Sequence, residues 1–251
     1  MYKRQNLNTA GVGTTTLNIG GDANLTITNG VNAAITLVDA TSASGVVSVS
    51  SAAGATVDVT MKGGSGADII TGGAGDDTIH GNAGADTLSG GSGGTDTLEG
   101  GAGNDTLSFP GGALTKADTV KGGDGTDAIS FSTDESALVD ADFTLVTGVE
   151  TVTAGTNINI AGTLGDLAAA AGVTTVTFTD TSGNDSIAVD ADGPSALTVN
   201  FDSDATNANS IAMNASYAGV LTVNADGDEL DTRASTITGG KGTSDVLNIT
   251  A

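Results

Sequence analysis

GGSGADIIT (63–71), GGAGDDTIH (72–80), GNAGADTLS (81–89), GGSGGTDTLE (90–99) and GGAGNDTLS (100–108) follow one another without a break. Glycine, aspartate and an aliphatic residue stay in phase at a period of nine, with one extra residue in the fourth unit. A degenerate copy with two extra residues, GGALTKADTVK (111–121), comes next, and GGDGTDAIS (122–130) restores the period, giving seven units. Self-similarity at so short a period is the mark of a solenoid, in which each repeat buries its apolar residue only against its neighbours.

Each unit divides into a six-residue turn and a three-residue strand. The middle strand residue is always aliphatic: Ile70, Ile79, Leu88, Leu98, Leu107, Val120 and Ile129. These are expected to stack inward, one per strand, while the turn glycines supply positive φ and close backbone approach. Two successive units complete one coil, so turns on one edge come from alternate units. Asp68, Asp86, Asp105 and Asp127 should line one edge, and Asp77, Asp96 and Asp118 the other. Strands stack about 4.8 Å apart, so successive carboxylates on an edge repel unless a cation lies between them. Calcium suits that position, because it prefers carboxylate and carbonyl oxygens. The chain is therefore expected to be largely disordered without calcium and folded with it.

Outward from the repeats, the pattern changes on both sides. Short alternating stretches, TTLNI, NLTIT, AAITLV, VVSVS and TVDVT, recur through residues 8–61 and read as stacked strands. After Phe131, the sequence suggests a short helix near Glu135 to Val139 and another in DLAAAA from Asp166. SIAVDADGPSALTVNFD then aligns with SIAMNASYAGVLTVNAD at an offset of 24 residues, which suits two strands per coil. GGKGTSDVLNITA at the end resembles the opening of a further glycine-aspartate unit, and its lack of a cap suggests a longer parent chain. The first five residues, MYKRQ, match the translation of a common sequencing-library transposon end and are expected to be non-native. The organisation read from the sequence is thus 1–5 leader, 6–62 strand-rich solenoid, 63–131 calcium roll, 132–172 transition and 173–251 β-helix.

Composition narrows the function. Thirty acidic residues against seven basic ones give a formal charge of -23, which repels phosphate and argues against nucleic acid. There is no cysteine, so disulfides and thiolate metal sites are excluded. No apolar run approaches the roughly 20 residues of a membrane helix, so membrane insertion is not expected. His80 is the single histidine and falls at a repeat's last position, where an outward polar residue is expected. Zinc protease and Ser-His-Asp chemistry lack the residues they need, and no catalytic role is expected. Glycosylation sequons at Asn24, Asn104, Asn184, Asn214 and Asn248 read as chance in an Asn- and Thr-rich chain.

The units from GGSGADIIT to GGDGTDAIS resemble the GGxGxDxUx pattern of RTX (haemolysin-type) calcium-binding repeats. That resemblance implies metal ligands at Asp68, Asp77, Asp86, Asp105 and Asp127, and less regularly at Asp96 and Asp118, where insertions displace the turn. Asp185 and Asp245 fit the pattern more weakly. Carbonyl ligands would come from the first-position glycines Gly63, Gly72, Gly81, Gly90, Gly100 and Gly122, and from the fourth-position glycines Gly66, Gly75, Gly84, Gly93, Gly103 and Gly125. The fold implied is all-β: a right-handed parallel β-helix/β-roll solenoid with a central calcium-binding β-roll. The flanking Thr-, Ala- and Asn-rich strands look like the body of RTX-type bacterial S-layer proteins. This resemblance implies type I secretion, an extracellular or cell-surface location, self-association into a lattice, and contact with surface polysaccharide through regions beyond these residues. The alternatives are a large RTX adhesin or the accessory region of an exported enzyme or toxin.

Overall fold

The computed structural model describes residues 5–9, 15–27, 30–31, 33–51, 55–155, 158–179, 185–201, 210–226, 236–238, 240–242 and 245–250. Residues 1–4 of the expected leader and the sequon Asn184 lie outside them. The chain divides into two compact units, Met1–Phe109 with Ala117–Ala128, and Pro110–Lys116 with Ile129–Ala251. Each is a β-solenoid of parallel strands.

In the first unit the strands are β1 (Gln5–Thr9), β2 (Thr16–Gly21), β3 (Leu25–Thr26), β4 (Leu37–Ala43), β5 (Val47–Ser50), β6 (Thr60–Lys62), β7 (Ile69–Thr71), β8 (Thr78–Ala83), β9 (Thr87–Ser89), β10 (Thr97–Ala102), β11 (Thr106–Phe109) and β12 (Thr119–Asp124). From β2 onward they alternate between two sheets, ordered β2-β4-β6-β8-β10-β12 and β3-β5-β7-β9-β11. Two successive units therefore make one coil. Only β1 departs from the parallel pattern, pairing antiparallel with β2.

In-register pairing stacks Leu17, Val38, Met61, Ile79, Leu98 and Val120 in one column and Val49, Ile70, Leu88 and Leu107 in the other. All are buried. The core is thus a thin double file of aliphatic side chains, and the small residues of the repeat let the two sheets close on it.

Three details differ from the sequence reading. TVDVT is not a strand: β6 begins at Thr60, because Met61 is the residue paired with Ile79 in the core file, leaving Val57 39% exposed. AAITLV likewise yields a strand only from Leu37. The division into six-residue turns and three-residue strands holds for β7 and β9, but β8, β10 and β12 each run six residues. Their ladder continues into the turn, pairing Asn82 with Gly101 and Gly101 with Gly123. Asn82 is the one non-glycine residue with positive φ among the described residues (74°), and its amide donates to the Gly63 carbonyl at 2.7 Å. An asparagine tolerates this left-handed conformation because its short polar side chain bonds locally.

In the second unit the elements are β13 (Ala128–Phe131), β14 (Glu135–Leu138), β15 (Val146–Thr147), β16 (Thr151–Ala154), β17 (Ile160–Leu164), α1 (Asp166–Ala171), β18 (Thr175–Phe178), β19 (Ser186–Val189), β20 (Ala196–Phe201), β21 (Ser210–Met213), β22 (Val220–Asp226), β23 (Thr236–Thr238) and β24 (Val246–Thr250). Ser186 pairs with Ser210 and Thr198 with Thr222, so the 24-residue offset is one coil carrying two strands. Phe178 stacks on Phe201 with ring centroids 5.2 Å apart.

The helix expected near 135–139 is instead strand β14, followed by a 3₁₀ turn at Asp140–Phe143. Glu135 is buried, and its carboxylate accepts the N–H groups of Gly112 (2.6 Å) and Ala137 (2.9 Å), which holds the backbone extended. The helix expected from Asp166 is present as α1. Asp140 accepts the N–H groups of Gly165 and Ala168 at its start, and Gly172 ends it at φ 107°.

Candidate calcium sites

The repeat aspartates occupy the residue just before each strand, where the turn enters the ladder. All seven are buried, from 0% exposure at Asp68 to 6% at Asp96. Their side chains form two head-to-tail columns. On one edge the N–H of Asp68 donates to Asp86 Oδ1 (2.7 Å), that of Asp86 to Asp105 (2.8 Å), and that of Asp105 to Asp127 (2.7 Å). On the other, Asp77 donates to Asp96 (2.9 Å) and Asp96 to Asp118 (2.8 Å). The expected sorting of alternate units onto opposite edges is what the structure shows. Each column is extended by one valine, as Val47 donates to Asp68 and Val59 to Asp77.

The second carboxylate oxygen turns toward the first-position glycine of its own unit. A Cβ on Gly63, Gly72, Gly81 or Gly100 would strike both that oxygen and the carbonyl of the next coil's first glycine: Gly81, Gly90, Gly100 and Gly122 respectively. Two acceptor oxygens therefore converge on each side-chain-free space. Gly64 and Gly73 each donate an N–H to Oδ2 of Asp68 and Asp77. Oδ2 of Asp86 and of Asp105 is buried with no hydrogen-bond partner among the described residues. Buried acceptors facing one another without a donor need a proton or a metal cation between them.

The electrostatics agree. Burial pushes Asp86 up to about 7, with the carboxylates of Asp68 and Asp105 adding to it. Burial pushes Asp96 up to about 6, helped by Asp77, Asp118 and Asp76. Asp68, Asp77 and Asp105 are raised for the same first cause. Among the described residues, no three His, Cys, Asp or Glu side chains gather into one cluster, so backbone carbonyls have to complete any site. A donor set of carboxylate and carbonyl oxygens alone fits a hard cation such as calcium and not zinc.

The fourth-position glycines also close the stack. Gly84, Gly103 and Gly125 have φ of 128°, 140° and 142°, and the nearest atoms to each belong to the glycine one coil before. They let backbone stack on backbone. In the ten-residue unit this place is taken by Gly94 (φ 95°), packed on Gly75, and not by the expected Gly93. The extra residue is absorbed before the tight contact.

An outer row escapes the motif. Asp76 donates its N–H to Asp58 Oδ1 (2.9 Å) and Thr95 donates to Asp76 Oδ1 (2.8 Å), the reverse direction to the inner column. Asp58 was hidden in a segment that reads as an alternating strand. In the second unit, Asp185 accepts the N–H of Ile160 (2.7 Å) and Asp245 that of Leu221 (3.1 Å), so both weaker candidates make the same kind of bond as the repeat aspartates. His80 faces outward as expected, 2.9 Å from Glu99.

A parallel solenoid whose turns carry columns of buried carboxylates and carbonyls has the donor set of a calcium-binding repeat module. Residues 62–94, 91–108 and 113–134 match the RTX calcium-binding nonapeptide repeat, in four copies, and these segments of the chain are RTX repeats. No curated protein and no solved structure matches the chain.

Proposed function

We propose that this chain is the calcium-folded structural body of a secreted, S-layer-like surface protein. Calcium is held between successive coils by Asp68, Asp86, Asp105 and Asp127 on one edge and by Asp77, Asp96 and Asp118 on the other, with glycine carbonyls completing the shell. The observation that carries this reading is the pair of buried, partnerless oxygens on Asp86 and Asp105, each facing a glycine carbonyl of the next coil. An ion there removes the repulsion along the column and lets a chain of charge -23 stay compact. Extracellular calcium modules bind at about 10⁻⁴ to 10⁻³ M, which leaves such a chain unfolded in the cytosol and folds it outside. Its role is assembly into a lattice, without catalysis. Among the described residues, no helix is long and apolar enough to cross a membrane.

The test is a calcium titration followed by circular dichroism. Cooperative gain of β-structure in the millimolar range, reversed by chelator, is the expected result. Full β-structure in excess chelator overturns the folding role. Calcium-dependent two-dimensional sheets in electron micrographs support the lattice, whereas folded protein that forms none points to an adhesin or accessory region.

A further inference from the structure

One outward row on the β2-containing sheet of the first unit belongs to neither the core nor the calcium columns. Register places Asp39 beside Lys62, Lys62 beside His80, His80 beside Glu99, and Glu99 beside Lys121. Glu99 accepts from Lys121 Nζ at 2.5 Å and lies 2.9 Å from His80 Nδ1. Beside this row runs an uncharged one, Thr60, Thr78, Thr97 and Thr119. Along the solenoid axis the charged row reads minus, plus, histidine, minus, plus.

That series is its own complement when reversed. We propose that this face is the contact surface for a second copy of the chain, with the two solenoid axes antiparallel and a two-fold axis along the His80 strand. Asp39 then faces the other copy's Lys121, Lys62 faces its Glu99, and His80 faces His80. With the axes parallel, every charge would face its like. The pairing is isologous, as closed dimers require. It also explains why lysines sit here at all, since the chain carries -23 and an unbalanced acidic face would repel a second copy. Five strands at ~4.8 Å, with about three residues (~10 Å) of each, make a patch of roughly 200 Å², far short of the roughly 800 Å² per partner of a stable interface. The contact is therefore weak alone and effective when repeated in an array. It rests on the self-association proposed above and names its surface.

Sedimentation velocity of the calcium-loaded chain at low salt tests it, with circular dichroism confirming that each variant folds. Wild type should dimerise reversibly with rising concentration. Lys62→Glu and Glu99→Lys should each weaken dimerisation at least tenfold, since each sets like charges opposite one another twice. Mixed together, the two variants should associate, because every facing pair is again opposite in sign. Asp190→Lys, in an exposed turn of the second unit, should change nothing. A monomeric wild type, dimers that persist in both single variants, or a mixture that stays apart would overturn the proposal. Calcium-dependent sheets formed equally by both single variants would keep the lattice reading and remove this face from it.

Discussion

Burial of the repeat aspartates sets the sign of the pH dependence. Asp86 and Asp96 titrate near 7 and 6 in the fold, against 3.8 when unfolded, so the metal-free fold binds more protons than the open chain. Its stability is fullest below about pH 4 and is lost as pH rises toward 7, opposite to an acid paired with a base. Without calcium, acidification from pH 7.5 to 5 should therefore raise the circular dichroism signal of β-structure. Calcium uptake at pH 6 should release protons, visible as a buffer-dependent heat in calorimetry. Asp86→Asn separates the two roles of the side chain. Its amide oxygen keeps the bond from Asp68 N–H while the buried charge disappears. The variant should be better folded in chelator at pH 7.5, yet bind calcium at least tenfold more weakly, about 1.4 kcal/mol. Unchanged affinity would remove Asp86 from the shell.

Strands are interchangeable in this architecture only in whole coils. Because Ser186 pairs with Ser210 and Thr198 with Thr222, excising residues 187–210 returns Ile211 to the place of Ile187 with every inward file intact. That 24-residue deletion should keep the cooperative melt, while deletion of 187–198 should lose it by sending strands to the wrong sheet; comparing their melting curves decides. The sequence made this period legible because inward aliphatics and turn residues recur at fixed offsets. It made the repeat aspartates legible for the same reason. It could not show that β8, β10 and β12 run on through their turns, since that depends on Asn82 meeting Gly101 in the next coil. Nor could it reveal β14: ESALV has helix-forming composition, and contacts distant in sequence, the N–H of Gly112 bonding Glu135 and the pairing of β14 with β17, hold it extended. Asp58 was missed because alternation in TVDVT suggested a strand, when Val59 in fact occupies the column position that Asp77 holds one coil later.

At the scale of the molecule, acids at the turns and neutral or balanced rows on the described strands divide the surface by role. On the proposed function the edges take up cations, and the flat faces are left for contact with other chains. The inner carboxylate columns add a direction to this, because every carboxylate grips the coil before its own. Within the first unit a coil spans 18 to 22 residues along these bonds. Mechanically, the stack behaves like a zip-fastener whose teeth all point one way. Peeling from the C-terminal side withdraws an acceptor and bares an amide; peeling from the N-terminal side bares a carboxylate beside its ion. Under a pulling force in calcium, the roll should give way one coil at a time. Each step should lengthen the chain by about 60–80 Å, the extended reach of that many residues, and chelator should erase the steps. A tether with that behaviour yields length in instalments under load instead of snapping.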